Sequence, residues 1–137
     1  MYSLIGGAQN ELEEFSESDI AYEKALEYSP DNVQALNNYA YYLSLREKNL
    51  EKAKVMSAKT IKMFPEESNY YDTYAWILYK MKDYKEAKIW MQQAVDLGES
   101  KTFYNHMADI LFELGETKES KIYREKAKQF KIGLGNE

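Results

Sequence analysis

The chain has no cysteine, two prolines, six glycines and one histidine among its 137 residues. Without cysteine there is no disulfide framework, no thiolate nucleophile and no cysteine-type zinc site. His106 stands alone, which excludes a histidine-rich metal centre and any mechanism that needs two imidazoles. No apolar run approaches the ~20 residues of a membrane-spanning helix, so no membrane insertion is expected. Met1-Tyr2-Ser3-Leu4-Ile5 does not read as a signal peptide, because no basic stretch leads into a long apolar one. Phosphate loops, Gly-x-Ser-x-Gly, His-Glu-x-x-His and calcium-loop spacings are missing too. These absences point away from an enzyme and leave no catalytic, cofactor or metal residue to name. The formal charge of -5 lacks the basic footprint of a nucleic-acid binder.

What the chain does have is length for one ordinary domain, 45% apolar residues and 13 tyrosines. That is enough to bury a core without a disulfide or metal staple. Tyrosine brings large contact area with a polar tip and suits helix–helix packing. Charge is uneven. Residues 1–32 hold eight acids against Lys24, whereas 33–67 hold six bases against four acids. The acidic start could steer a basic partner or simply form a solvated face.

A repeat near 34 residues organises the chain. Ala40-Tyr41-Tyr42-Leu43, Ala75-Trp76-Ile77-Leu78 and Ala108-Asp109-Ile110-Leu111 share a pattern, their alanines 35 and 33 residues apart, and Gly6 lies 34 before Ala40. Ser18, Ala53, Ala87 and Ser120 form a second small-residue series, spaced 35, 34 and 33, and Ala25, Thr60, Ala94 and Ala127 a third. Within each period apolar residues recur at helical spacing in two segments. Pro30, Pro65, Gly98 and Gly115 interrupt them. The pattern predicts helices at 2–14, 16–28, 33–46, 49–63, 69–81, 84–97, 101–114 and 117–131, with a loose tail at 133–137. Small residues belong where two backbones cross closely, and larger ones such as Tyr39, Leu43, Tyr74 and Leu78 fill the space around them. Met56, Met63, Met81, Met91 and Met107 sit at core spacing as gap fillers.

These residues resemble the tetratricopeptide repeat (TPR) family. One copy carries its pattern as Tyr71, Tyr74-Ala75, Leu78, Tyr84, Ala87, Met91 and Ala94; another as Leu36, Tyr39-Ala40, Leu43, Leu50, Ala53, Thr60 and Pro65. The first and last copies carry Ile5-Gly6, Phe15, Ser18, Tyr22, Ala25, Pro30 and Tyr104, Met107-Ala108, Leu111, Gly115, Ser120, Ala127. The second copy has one residue extra near Arg46-Glu47-Lys48-Asn49, and the third is one short at Gly98-Glu99. The resemblance implies an all-α, right-handed α-solenoid of four helix-turn-helix pairs over 1–132, with repeats at about 1–32, 33–67, 68–100 and 101–132. The segment from Ala35 to Ala94 looks most like bacterial members, several of them from the cell envelope. That leaves cytoplasm and envelope both open. The apolar Tyr2, Leu4 and Ile5 at the start suggest a piece of a longer protein.

In this family the first helix of each pair lines the concave face. The resemblance places Asn37, Asn38 and Tyr41, then Asn69, Asp72 and Trp76, then Asn105 and Asp109 on that face, with Thr73 and His106 beside them. An Asn amide offers two donors and two acceptor lone pairs to a peptide backbone. The expected function is a protein–protein interaction scaffold that binds a peptide or protein segment in the groove. No Lys or Arg occupies these positions, so the carboxylate clamp of the family's co-chaperones is not expected. Asp72 and Asp109 would favour a ligand carrying Lys or Arg. His106 is read as a polar wall residue. Two alternatives stay open: assembly through Tyr2, Leu4 and Ile5, and service as an accessory domain of a larger protein.

Overall fold

The computed structural model describes residues 2–11 and 14–130, without the side chains of Tyr2, Gln9, Asn10 and Glu11. Among the described residues all regular structure is helical: α1 (Tyr2–Glu11), α2 (Phe15–Tyr28), α3 (Val33–Leu45), α4 (Leu50–Met63), α5 (Ser68–Lys80), α6 (Tyr84–Leu97), α7 (Lys101–Glu113) and α8 (Thr117–Gln129). All eight expected helices are present, with ends within a residue or two, apart from the first, which is described to Glu11. The expected tail, 133–137, lies outside the described residues.

The chain forms two compact units, Met1–Pro65 and Glu66–Glu137, each holding two helix pairs. In the first, α1 pairs with α2 and α3 with α4, and α3 packs on both α1 and α2. In the second, α5 pairs with α6 and α7 with α8, and α7 packs on both α5 and α6. The small-residue series marks the crossings. Ala40, Ala53, Ala75, Ala87, Ala94 and Ala108 are fully buried. Ser18 Oγ donates to the Gly6 carbonyl at 2.7 Å, and Ser120 Oγ to the Ala108 carbonyl at 2.8 Å. Each bond joins a second helix to the backbone of its first, which only small side chains at the crossing permit. A Cβ at Gly6 would lie 2.8 Å from the Tyr22 ring.

Large side chains close around these crossings. In the first unit Tyr22 stacks on Tyr39, centroids 5.2 Å apart and 11° between planes. Tyr39 Oη donates to Glu23 at 2.9 Å. Burial pushes both phenols well above their ordinary range, and the Glu23 bond adds to the effect on Tyr39. In the second unit Leu78, Met91, Met107, Ile110 and Leu111 are buried to within 2%. Each such side chain contributes about 1.5–3 kcal/mol. Met56 is buried as expected, while Met63 and Met81 are half-buried.

The turns inside three pairs share one geometry. Glu47, Lys82 and Gly115 have φ of 53°, 66° and 80°, the left-handed region. The next residue closes each turn: Lys48 N donates to the Leu43 carbonyl at 3.0 Å, Asp83 N to Leu78 at 2.9 Å and Glu116 N to Leu111 at 2.9 Å. This six-to-one bond ends a helix and normally recruits glycine at the left-handed position. Here only Gly115 provides it. Two expectations follow. Lys82→Gly should raise stability by up to ~1 kcal/mol, and Gly115→Ala should lower it by about as much. Urea denaturation of both variants checks the opposite signs. At the crossings, Ala108→Leu should cost roughly 1–3 kcal/mol by overpacking. Ala58→Leu, on an exposed position of α4, should stay within about 0.5 kcal/mol.

Candidate protein-binding faces

The candidate residues fall on the first helices of the pairs, in two groups set by the units. In the first unit, Asn37, Asn38 and Tyr41 sit at i, i+1 and i+4 on α3. Asn38 is exposed. Asn37 is half-buried, and its Oδ1 is buried with no hydrogen-bond partner. Tyr41 is half-buried and tilted against Tyr42, ring centroids 6.2 Å apart. The carbonyl of Tyr41 accepts a 2.6 Å bond from Ser44 Oγ.

In the second unit, Asn69, Asp72 and Trp76 lie at i, i+3 and i+7 on α5. Asn105 and Asp109 lie at i and i+4 on α7. Asn69 is exposed, whereas Asp72 and Trp76 are each only 7% exposed. His106 Nδ1 reaches Asp72 Oδ1 at 2.7 Å, linking α7 to α5. The imidazole lies face to face with Trp76 at 3.8 Å, and Tyr79 covers the other face of the indole at 4.4 Å. The three rings are nearly parallel, 15° and 7° apart. The Lys80 ammonium sits over Trp76, 5.5 Å from its centroid. Trp76 Nε1 is buried without a partner.

Arg124 of α8 secures the remaining pair. Its guanidinium donates to Asp109 at 2.6 Å, to Asn105 Oδ1 at 3.1 Å and to the Asn105 carbonyl at 3.4 Å. Burial raises the Tyr79 phenol, and the Asp109 carboxylate nearby adds to that.

The expected residues therefore divide by role. Asn38 and Asn69 are exposed to solvent. Asp72 and Trp76 belong to a closed, stacked wall, and both faces of the indole are occupied. Asn105 and Asp109 are partly open and held by one guanidinium. His106, expected as a polar wall residue, is buried at 8% exposure and pairs with Asp72, a link not anticipated. Tyr79 and Arg124 were not singled out either. Tyr79, three residues after Trp76 on a helix, was findable from its spacing. Arg124 was not, since it lies on a second helix, outside the first-helix positions that the resemblance places on the concave face. Among the described residues no cluster of His, Asp and Glu could hold a metal ion.

Paired helices crossing at small residues, repeated four times, define a helical-repeat protein of the kind that presents side chains to other proteins. The tetratricopeptide repeat family matches residues 1–32, 68–99 and 102–131, and a second description of the same repeat matches residues 21–55. The chain belongs to the tetratricopeptide repeat family, whose members generally serve as non-catalytic protein–protein interaction scaffolds. Among solved structures, PilF of Pseudomonas aeruginosa is 23% identical with a TM-score of 0.79, covering 99% of this chain and 61% of its own. A MamA structure from Desulfovibrio magneticus RS-1 is 18% identical with a TM-score of 0.81, covering 93% of this chain and 72% of its own. The Sgt2 TPR domain from Aspergillus fumigatus is 22% identical with a TM-score of 0.76, covering 86% and 80%. The likeness is one of fold, and the chain spans about three-fifths of the PilF structure. No curated protein sequence matches it.

The Asp72–His106 pair generates a test. Asp72→Ala leaves a buried imidazole nitrogen without its partner, which should cost about 1–3 kcal/mol. Asn69→Ala, at an exposed position, should stay within about 0.5 kcal/mol. Urea denaturation followed by tryptophan fluorescence compares the two, and equal midpoints would contradict the pairing.

Proposed function

We propose that this protein is an interaction scaffold in which α3 of the first unit, and α5 and α7 of the second, each present residues to a peptide or protein partner. The observation that carries this reading is the contrast along those helices. Asn38 and Asn69 leave their amides to solvent, while the side chains around Asn69 are locked into the Asp72–His106–Trp76–Tyr79 wall. A rigid wall beside the open amide of Asn69 loses little side-chain freedom when a peptide backbone docks. No catalytic step, cofactor or metal enters this reading. A basic character in the ligand rests on Asp109, since Asp72 is already taken by His106. Asp109 itself shares its charge with Arg124.

A second reading, assembly through the start of the chain, draws on α1. Leu4 is 79% exposed and Ile5 40%, while at the Ile5 position of later repeats Tyr39 and Met107 are buried and Tyr74 is half-buried. The side chain of Tyr2, the third residue expected there, lies outside the described residues.

The test is affinity capture from the source cells with the native chain and with an Asn38→Ala, Asn69→Ala, Asp109→Asn variant. Circular dichroism first confirms that the variant stays helical. The expected result is a captured partner whose affinity for the variant falls about tenfold or more, near 1.4 kcal/mol. A partner bound equally by both chains would move the site off these helices.

A further inference from the structure

The second helices carry a feature the binding reading does not use. Ile20, Val55, Ile89 and Ile122 occupy the same repeat position, spaced 35, 34 and 33 residues apart. They are 58%, 71%, 56% and 49% exposed. Single exposed aliphatics are ordinary. One at the same position of every second helix, each set among charges, forms a patterned surface.

The pattern is self-complementary in the first unit. Helix α2 carries Glu17, Asp19, Glu23 and Glu27 against Lys24, a net of -3. Helix α4 carries Lys52, Lys54, Lys59 and Lys62 against Glu51, a net of +3. Ion pairs tie α4 to α2 and to the turn that follows it. Lys52 pairs with Glu23, and Lys59 reaches Asp31 at 2.8 Å and the Pro30 carbonyl at 3.1 Å. Asp19 is taken by Arg46 at 2.6 Å. Glu17, Glu27, Lys54 and Lys62 have no ion pair among the described residues. Glu17 and Glu27 flank Ile20 at i-3 and i+7 on its stripe of α2, and Lys62 follows Val55 at i+7 on its stripe of α4. In the second unit α6 is neutral and α8 carries +3, so no such complementarity exists there.

We propose that the α2–α4 face binds a second copy of this chain. A two-fold axis running along these helices sets the acidic α2 of one copy against the basic α4 of the other, and the reverse. Both acid–base contacts form together, with Ile20 and Val55 covered between them. The face is small. Two 14-residue helices span ~21 Å each, so each copy buries roughly 400 Å², about half of what a stable complex uses. The dimer is therefore weak and forms at high concentration and low salt.

Sedimentation velocity of the full chain from micromolar to millimolar concentration is the test. The native chain should shift from monomer toward dimer mass, and added salt should reverse the shift. Glu17→Lys with Glu27→Lys, and separately Lys54→Glu with Lys62→Glu, should each weaken self-association roughly tenfold or more. An equal mixture of these two variants should regain it, because each then meets its opposite charge. That regain cannot come from misfolding. Ile20→Asn with Val55→Asn gives an independent arm that should also weaken the dimer. The proposal is overturned by a native chain that stays monomeric throughout, by variants that associate as the native chain does, or by a mixture that regains nothing. It is equally overturned if Leu4→Glu abolishes a dimer that both charge-reversed pairs leave intact, which would place the contact on α1.

Discussion

Both units depend on the close crossing of the two helices in a pair. Backbones approach there because Gly6, Ala40, Ala75 and Ala108 leave no side chain in the way. The second helix contributes Ser18, Ala53, Ala87 or Ser120 to the same contact. Where that residue is serine, its hydroxyl bonds the opposing carbonyl, satisfying a polar group that would otherwise be buried alone. A close crossing also concentrates the burial of the larger residues. Leu43, Leu78 and Leu111 disappear beneath it, at 0%, 2% and 1% exposure. No isolated pair could cover this much apolar surface, which is why the two pairs of each unit pack together.

The crossing fixes what each helix can present. The first helices hold their polar side chains in fixed relation to one another, and in the second unit this produces the Asp72–His106 link and the three-ring stack. Arg124 reaches from α8 to Asn105 and Asp109 on α7, so a second helix also shapes the first-helix surface. The second helices keep one face in the core and turn the other outward, and their outward charges differ from repeat to repeat. The repeated skeleton and the varied surface thus come from different positions of the same period.

Sequence reading recovers the skeleton almost completely, because it depends on size and periodicity. Three small-residue series gave the period, and the apolar spacing gave all eight helices. The turns were partly visible. Gly115 signalled one, but Glu47 and Lys82 adopt the same left-handed conformation without announcing it. The six-to-one hydrogen bond and the packing on either side impose that geometry over local preference. The site was less legible for a physical reason. Each groove position was read on its own helix, but Asp72 finds its partner 34 residues on, across two first helices. Burial then turns Asp72 and Trp76 from contact residues into wall residues, a distinction that residue type alone does not make. Arg124 was missed because a long side chain carries its charge far from its own backbone.

Under the proposed function, the wall also explains what the open amide of Asn69 gains from its surroundings. An exposed Asn on a mobile surface gains little from a peptide, because ordering it costs what the hydrogen bonds return. Asn69 projects from a helix anchored through Asp72 and Trp76, both under a tenth exposed. Asn105 is itself held by Arg124 before any partner arrives. In that reading the buried residues govern how well their exposed neighbours bind. Under the proposed function, affinity depends on the buried His–Asp pair and the stacked rings as well as on the groups at the surface.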